Sequence, residues 1–357
     1  MTQLGSFPRR RDDDMLHLVG STPMVRLRRL PAQDGARVHA KLEYVNPSGS
    51  LKDRIAIRML AEAERKGDLV PGMCVVEPTS GNTGAGLAFA CAVKGYEMIA
   101  VMPEAMSRER AALIAAFGAH VLLTPCESTI PGVFTREDID RVIAVATELA
   151  SRPGFYMPNQ FENQANPRAH RQTAREIWSQ ARGRVDAFVM GVGTSGTLMG
   201  VGRFLRQHNP EVRIVAVEPV NSAVLSGGKH GPHKLQGIGE GFVPSLYRHA
   251  EVDAVIGVSD ADAKMVTCRL AREEGILAGY SGGANTWAAL QVAGELGPRK
   301  TVVTMMPDTG LKYLSTDLFT PEPSICRACA GRRRCRSLTH ALPPRLARRL
   351  LAVNGRS

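Results

Sequence analysis

Asn46-Pro-Ser-Gly-Ser-Leu-Lys-Asp-Arg54 runs from a turn straight into a helix and sets one ammonium, that of Lys52, in the first turn. The helix continues as Ile55-Ala-Ile-Arg-Met-Leu-Ala-Glu-Ala-Glu-Arg-Lys66, and Gly67 stops it. Ser50, with Asp53 three residues later, predicts a capping box. The positive end of the helix dipole disfavours a second positive charge, so the amine shifts toward its neutral, nucleophilic form, and burial shifts it further. A Schiff-base lysine needs that state. A plain surface lysine fits this segment equally well, so its neighbours must decide.

Outward from it, Met73-Cys-Val-Val-Glu77 reads as a buried strand, and Pro78-Thr-Ser-Gly-Asn-Thr-Gly84 turns the chain into an alanine-rich helix over 85–93. The amides exposed there form an anion site. Hydroxyls of Thr79, Ser80 and Thr83 and the side-chain amide of Asn82 add donors, which suits a carboxylate better than a polyphosphate. Further on, Gly191-Val-Gly-Thr-Ser-Gly-Thr197 follows the strand Val185-Asp-Ala-Phe-Val-Met190 and opens a helix over 198–206. It fits G-x-G-x-x-G, and Glu218 ends the next strand, 212–217, where a dinucleotide fold keeps its ribose-binding acid. An NAD enzyme is therefore an alternative. Such an enzyme leaves Lys52 and the Thr79 loop unexplained and lacks an obvious His or Tyr general acid, whereas a monophosphate cradle accounts for all three segments. The absence of Gly-Lys-Ser/Thr excludes a P-loop.

In chain order, eight runs (20–27, 46–54, 77–84, 102–110, 191–197, 231–239, 274–281 and 313–316) resemble the cysteine synthases, within the pyridoxal-phosphate fold shared with cystathionine β-synthase and threonine deaminase. The resemblance covers about residues 14–320. It implies an α/β, two-domain, tryptophan synthase β-like fold (fold type II), each domain a mostly parallel sheet flanked by helices. It implies that Lys52 is catalytic and holds pyridoxal 5'-phosphate as a Schiff base, with Asn82 on the ring hydroxyl. Gly193, Thr194, Ser195, Gly196 and Thr197 match the phosphate loop. Thr79, Ser80, Thr83, Gln160 and Gly237 match the substrate-binding groups, and Ser281 the partner of the pyridine nitrogen. A serine hydroxyl, unlike a carboxylate, does not stabilise a protonated ring, so the ring is a weaker electron sink and elimination should quickly follow proton removal. The implied reaction is β-replacement on O-acetylserine or O-phosphoserine through an aminoacrylate, with sulfide giving cysteine. A specialised enzyme using an amine or larger thiol is the alternative.

Strands alternating with helices in an aliphatic, aromatic-poor chain of 357 residues agree with an α/β protein. By resemblance a smaller, mobile unit spans 46–160, and a larger one joins 10–45 to 161–320. A homodimer is expected. The N-terminus lacks an apolar signal core and no run is long enough for a membrane helix, which predicts a cytoplasmic protein without membrane association. The net charge of +11 is located in the tail, 321–357: nine arginines and no lysine, aspartate or glutamate follow residue 322, which leaves +2, eleven less nine, for the rest. That tail reads as solvated rather than as a site for nucleic acid or an acidic partner. Within it 338–351 suggests a short amphipathic helix, against which Pro343 and Pro344 argue. Cys326, Cys329, Cys335 and His340 have a spacing that allows zinc or a redox pair, but no metal site is expected. Cys74, Cys91, Cys126 and Cys268 read as buried small residues.

Three departures from the family pattern fall, by expectation, around the substrate. Glu240 stands where alanine is usual, at the pocket mouth; the stretch 126–138 is longer than usual; and Thr173-Ala-Arg-Glu-Ile177 replaces Thr-Gly-Pro-Glu-Ile. A third function, a partner-binding protein that acts through its tail, is opposed by the intact Lys52, Asn82 and Ser281.

Overall fold

Strands without polar alternation are buried on both faces and favour parallel pairing under helices, and such strands set the architecture here. A computed structural model describes residues 14–127 and 135–319. The tail's cysteines, His340, arginines and 338–351 segment, and most of 126–138, lie outside the described residues. Among those described, one sheet contains β1 (Met24–Arg26), β2 (Arg37–Leu42), β7 (Ala187–Gly191), β8 (Arg213–Pro219), β9 (Ala254–Val258) and β10 (Thr301–Met306). Its order is β1-β2-β10-β7-β8-β9, with only β1 antiparallel. The second sheet is wholly parallel, in the order β5-β4-β3-β6, from β3 (Cys74–Pro78), β4 (Glu97–Pro103), β5 (His120–Thr124) and β6 (Phe155–Tyr156). Both sheets lie in one compact unit that ends at Leu318.

The helices that cover the sheets and carry the site are α1 (Lys52–Lys66), α2 (Asn82–Lys94), α3 (Arg108–Ala116), α4 (Arg136–Ala150), α5 (Ala165–Gln180), α6 (Gly196–His208), α7 (Asp260–Arg269) and α8 (Tyr280–Leu296). The expected elements are present, with ends moved by one to three residues. The helices α2 and α6 begin earlier than apolar periodicity suggests, because polar residues of the two glycine loops already form their first turns. Gly67 ends α1 at φ +81° as expected.

The capping box expected at α1 is absent. Ser50 Oγ accepts from the Lys52 amide at 3.3 Å, but Asp53 turns back to the Ser48 amide at 2.7 Å and to the Ser48 hydroxyl. The chain before α1 folds back far enough that Ser48, not Ser50, is in reach. A capping box does form at α4, between Thr135 and Asp138.

Beneath α1 lies a buried ionic network. Arg54 donates to Glu43 at 2.7 and 2.8 Å and to Glu176 at 2.7 and 2.9 Å, and Lys41 donates to Glu176 at 2.7 Å. It fixes the first turn of α1 against β2 and α5. The sequence places Glu176, with Thr173, near the substrate. Instead it belongs to this network, and Thr173 holds a histidine behind the second glycine loop. Of the four core cysteines only Cys91 is buried; Cys74, Cys126 and Cys268 are partly exposed.

Candidate active site

The C-terminal ends of β3 and β7 open on one cleft, and each is followed by a turn and the N-terminus of a helix, which is where parallel sheets hold ligands. Leu51, Lys52, Ser80, Asn82, Thr83, Gln160, Gly193, Thr194, Ser195, Thr197, Gly237, Glu240 and Ser281 line it together. Residues far apart in sequence are thus brought together, while Thr79 and Gly196 do not line the cleft. A larger groove over the outer faces of α1 and α5, lined by Leu16, Ile57, Arg58, Arg168 and Arg171, holds none of them.

Lys52 is only half-buried by accessible surface because the cleft opens beside it, but protein atoms crowd its amine. That burial is the largest cause lowering its pKa to about 8, and the carboxylates of Glu240 and Asp308 act in the opposite direction. The shift runs toward the nucleophilic amine, the direction expected from the sequence, with desolvation as its main source.

In the first loop Thr79 Oγ1 accepts from the amides of Gly81 and Gly84, each at 3.0 Å, and ties the turn before α2. Thr79 faces an adjoining apolar chamber rather than the cleft. Thr83 donates to Gln160, joining two of the expected carboxylate-binding groups. Gln160 is set by Glu77, which accepts from the amides of Gln160 at 2.9 Å and Asn159 at 2.8 Å. Asn82 is held at both ends: its Nδ2 donates to Asp308 at 2.8 Å and its Oδ1 accepts from Lys312 at 2.8 Å. One N–H of that amide remains for a ligand.

The second loop is shaped by what glycine omits. A Cβ on Gly193 would lie 2.4 Å from the Gly237 carbonyl oxygen, and one on Gly196 only 1.9 Å from Asn166 Oδ1. Ser195 stands in the left-handed region at φ +63°, ahead of α6, and its buried hydroxyl has no partner. Asn166 donates to Thr194 Oγ1 and to the Gln160 carbonyl, both at 2.9 Å. Thr197 meets His170 at 3.1 Å, and burial pushes His170 well below its ordinary pKa, so the ring is neutral. Ser281 is buried in the first turn of α8. Glu218, the acid that supported a dinucleotide alternative, accepts from the Leu225 and Ser226 amides at 2.8 and 3.1 Å and from the Ser226 hydroxyl at 2.5 Å. With both oxygens used by its own loop, the ribose role is removed.

Arg110 is the main group that motif reading left without a role. Fully buried, it donates to the Ser80 carbonyl at 2.7 Å and to the Tyr313 hydroxyl at 2.6 Å, while Tyr313 donates to Asp308 at 2.7 Å. Arg110 and Tyr313 lie inside runs already noted, but a buried arginine and a surface one look alike in sequence. His170, Asn166 and Lys312 were missed for the same reason.

The site therefore offers an orphaned buried hydroxyl, glycines whose side chains would fill the cradle, a helix N-terminus and a lysine held near neutrality. These features fit a phosphorylated carbonyl cofactor, and with the two parallel sheets they define an enzyme of the Schiff-base class. Comparison with known proteins agrees. The family described as pyridoxal-phosphate dependent enzyme matches residues 15–308. A cysteine synthase of Staphylococcus aureus is 49% identical over 86% of this chain and 97% of its own. The solved structure of an O-ureido-L-serine synthase superposes with a TM-score of 0.81 at 42% identity, covering 88% of this chain and 97% of the other. An O-acetyl serine sulfhydrylase from Entamoeba histolytica gives 0.79 at 38% identity over 90% and 96%. The chain belongs to the pyridoxal-phosphate dependent enzyme family.

Proposed function

We propose that the chain catalyses β-replacement on an activated serine, with sulfide as nucleophile and L-cysteine as product. The observation that carries this is the placement of the Lys52 amine, held at about 8, in one cleft with the glycine loop, Asn82 and Ser281. The relatives named above, a cysteine synthase and an O-acetyl serine sulfhydrylase, support the reaction class. Bound pyridoxal phosphate supplies the electron sink that acidifies the Cα–H of an attached amino acid.

The chain's own residues supply the rest. The amides and hydroxyls of Gly193 to Thr197 would hold the phosphate, the free N–H of Asn82 the ring hydroxyl, and the Ser281 hydroxyl the ring nitrogen. Ser80, Thr83 and Gln160 would bind the substrate carboxylate, while Thr79 keeps the turn in shape. Lys52 Nζ is the base for the Cα proton, which is the task a lysine near neutrality performs well. In the same proposal 46–160 moves as the smaller unit and the working species is a cytoplasmic homodimer. Among the described residues no helix is long and apolar enough to cross a membrane.

The test is incubation of the purified protein with O-acetylserine and sulfide, with O-phosphoserine as the parallel acceptor. Formation of cysteine together with a visible absorbance band from bound cofactor is expected. Cofactor retention without cysteine from either acceptor would overturn the reaction, and absence of the band would overturn the site.

A further inference from the structure

Glu240 brings a carboxylate into the cleft itself. Its residue is only 9% exposed, and among the described residues no hydrogen bond or ion pair satisfies its carboxylate. It lines the Lys52 cleft and also the apolar chamber behind Ser80 and Phe161, whose far wall is Ile139 and Val142 of α4. It therefore stands at the junction of the cleft and that chamber. The charged groups that face it are Lys52 from α1 and Arg110 from α3. Arg110 is already committed to Ser80 and Tyr313, and Lys52 Nζ, the base of the first half-reaction, makes no hydrogen bond or ion pair with Glu240.

A desolvated carboxylate facing a cavity demands a hydrogen-bond donor. Near neutral pH sulfide offers two species. Hydrosulfide carries the same sign as the carboxylate and is repelled, whereas neutral hydrogen sulfide can donate to it. We propose that Glu240 binds neutral hydrogen sulfide and accepts its proton as sulfur attacks the β-carbon, which makes it a catalytic residue of the second half-reaction. The sulfur lone pair forms the C–S bond, and the S–H bonding pair returns to sulfur as its proton passes to a Glu240 oxygen. The β-substituent has already left with its own electron pair, so the bond that breaks is the Cα–Cβ π bond, whose pair moves to Cα and takes back the proton that Lys52 removed. The carboxylic acid so formed then gives its proton to water, so no oxidant or reductant takes part. Burial raises the Glu240 pKa, with Lys52 and Arg110 opposing, and this moves the acceptor toward the pH of its task.

The inference rests on the β-replacement reading, and the test separates the two. With the acceptor saturating, kcat/KM for sulfide should trace a bell, rising as Glu240 ionises and falling as neutral hydrogen sulfide gives way to hydrosulfide. The infrared band of the protonated Glu240 carboxyl should titrate with the rising limb and be missing in Glu240→Gln. Glu240→Gln and Glu240→Ala, checked by their cofactor absorbance, should lose that limb, follow hydrosulfide instead, and fall about tenfold on the acid side. A wild-type rate that climbs with hydrosulfide, a glutamine variant that keeps the bell, or an infrared titration out of register with the rate would each overturn the role. A wild-type protein that makes no cysteine at any pH fails at the underlying reaction, and this inference falls with it.

Discussion

Lys52 and Arg54 are two residues apart on α1 and have opposite electrostatic surroundings. Crowding without a bonded partner lowers the pKa of Lys52 to about 8, whereas two carboxylates satisfy Arg54. Lys52→Ala removes an amine that makes no hydrogen bond or ion pair among the described residues. It should lower turnover about 10³-fold or more and leave the thermal midpoint nearly unchanged, as paired activity and melting measurements will show. Arg54→Ala is expected to do the reverse. It strands Glu43 and Glu176 and should cost about 3–5 kcal/mol in denaturant unfolding. The network's pH dependence follows from Glu176, whose pKa falls to about 2; burial, the largest single influence, acts upward, and its bonds to Arg54 and Lys41 together outweigh it. A depressed folded pKa gives stability that is fully present above the ordinary carboxylate value and is lost as pH falls toward 2. The difference in melting temperature between wild type and Glu176→Gln should therefore be full at pH 7 and shrink as the pH falls below about 4.5.

At the scale of elements, the two glycine loops do different work although both join a strand to a helix. The loop before α2 is tied by Thr79 and presents side chains, while the loop before α6 is pressed against Gly237 and presents backbone. Gly193→Val would drive a side chain into the Gly237 carbonyl, so cofactor loss on dialysis should rise at least tenfold while α6 and its sheet stay folded. Absorbance after dialysis, with circular dichroism as the fold control, will check this. Both loops were legible because glycine between a strand and a helix leaves a clear mark in sequence. The capping box was misplaced because Ser48 and Ser50 are equally good caps on paper, and only the path of the turn decides which one Asp53 reaches. Glu218 misled for a related reason: spacing from a glycine motif gives a position but says nothing about which donors surround it.

For the whole molecule, the sheets, their helices and the residues lining the cleft were readable from ordered motifs, whereas the supporting network was not. Arg110, Asp308 and Tyr313 come together from α3 and the segment after β10, a long-range meeting that no local pattern encodes. Among the described residues those that line the cleft run from Leu51 to Pro307. Cutting after Phe319 should then leave the β-replacement rate within about threefold of full length while removing nine arginines. A steady-state comparison of the two proteins at equal cofactor loading will measure it.

The bond from Thr83 to Gln160 also bears on how tightly a substrate is held. Each group satisfies the other before any carboxylate arrives. A carboxylate that takes the Thr83 proton must displace the Gln160 oxygen, so docking is an exchange of partners, and its net gain is nearer to about 1 kcal/mol than to the full strength of a new bond. The site thus carries an internal competitor for its own ligand. Weak ground-state grip of this kind leaves binding energy to be expressed later, when charge develops along the reaction path.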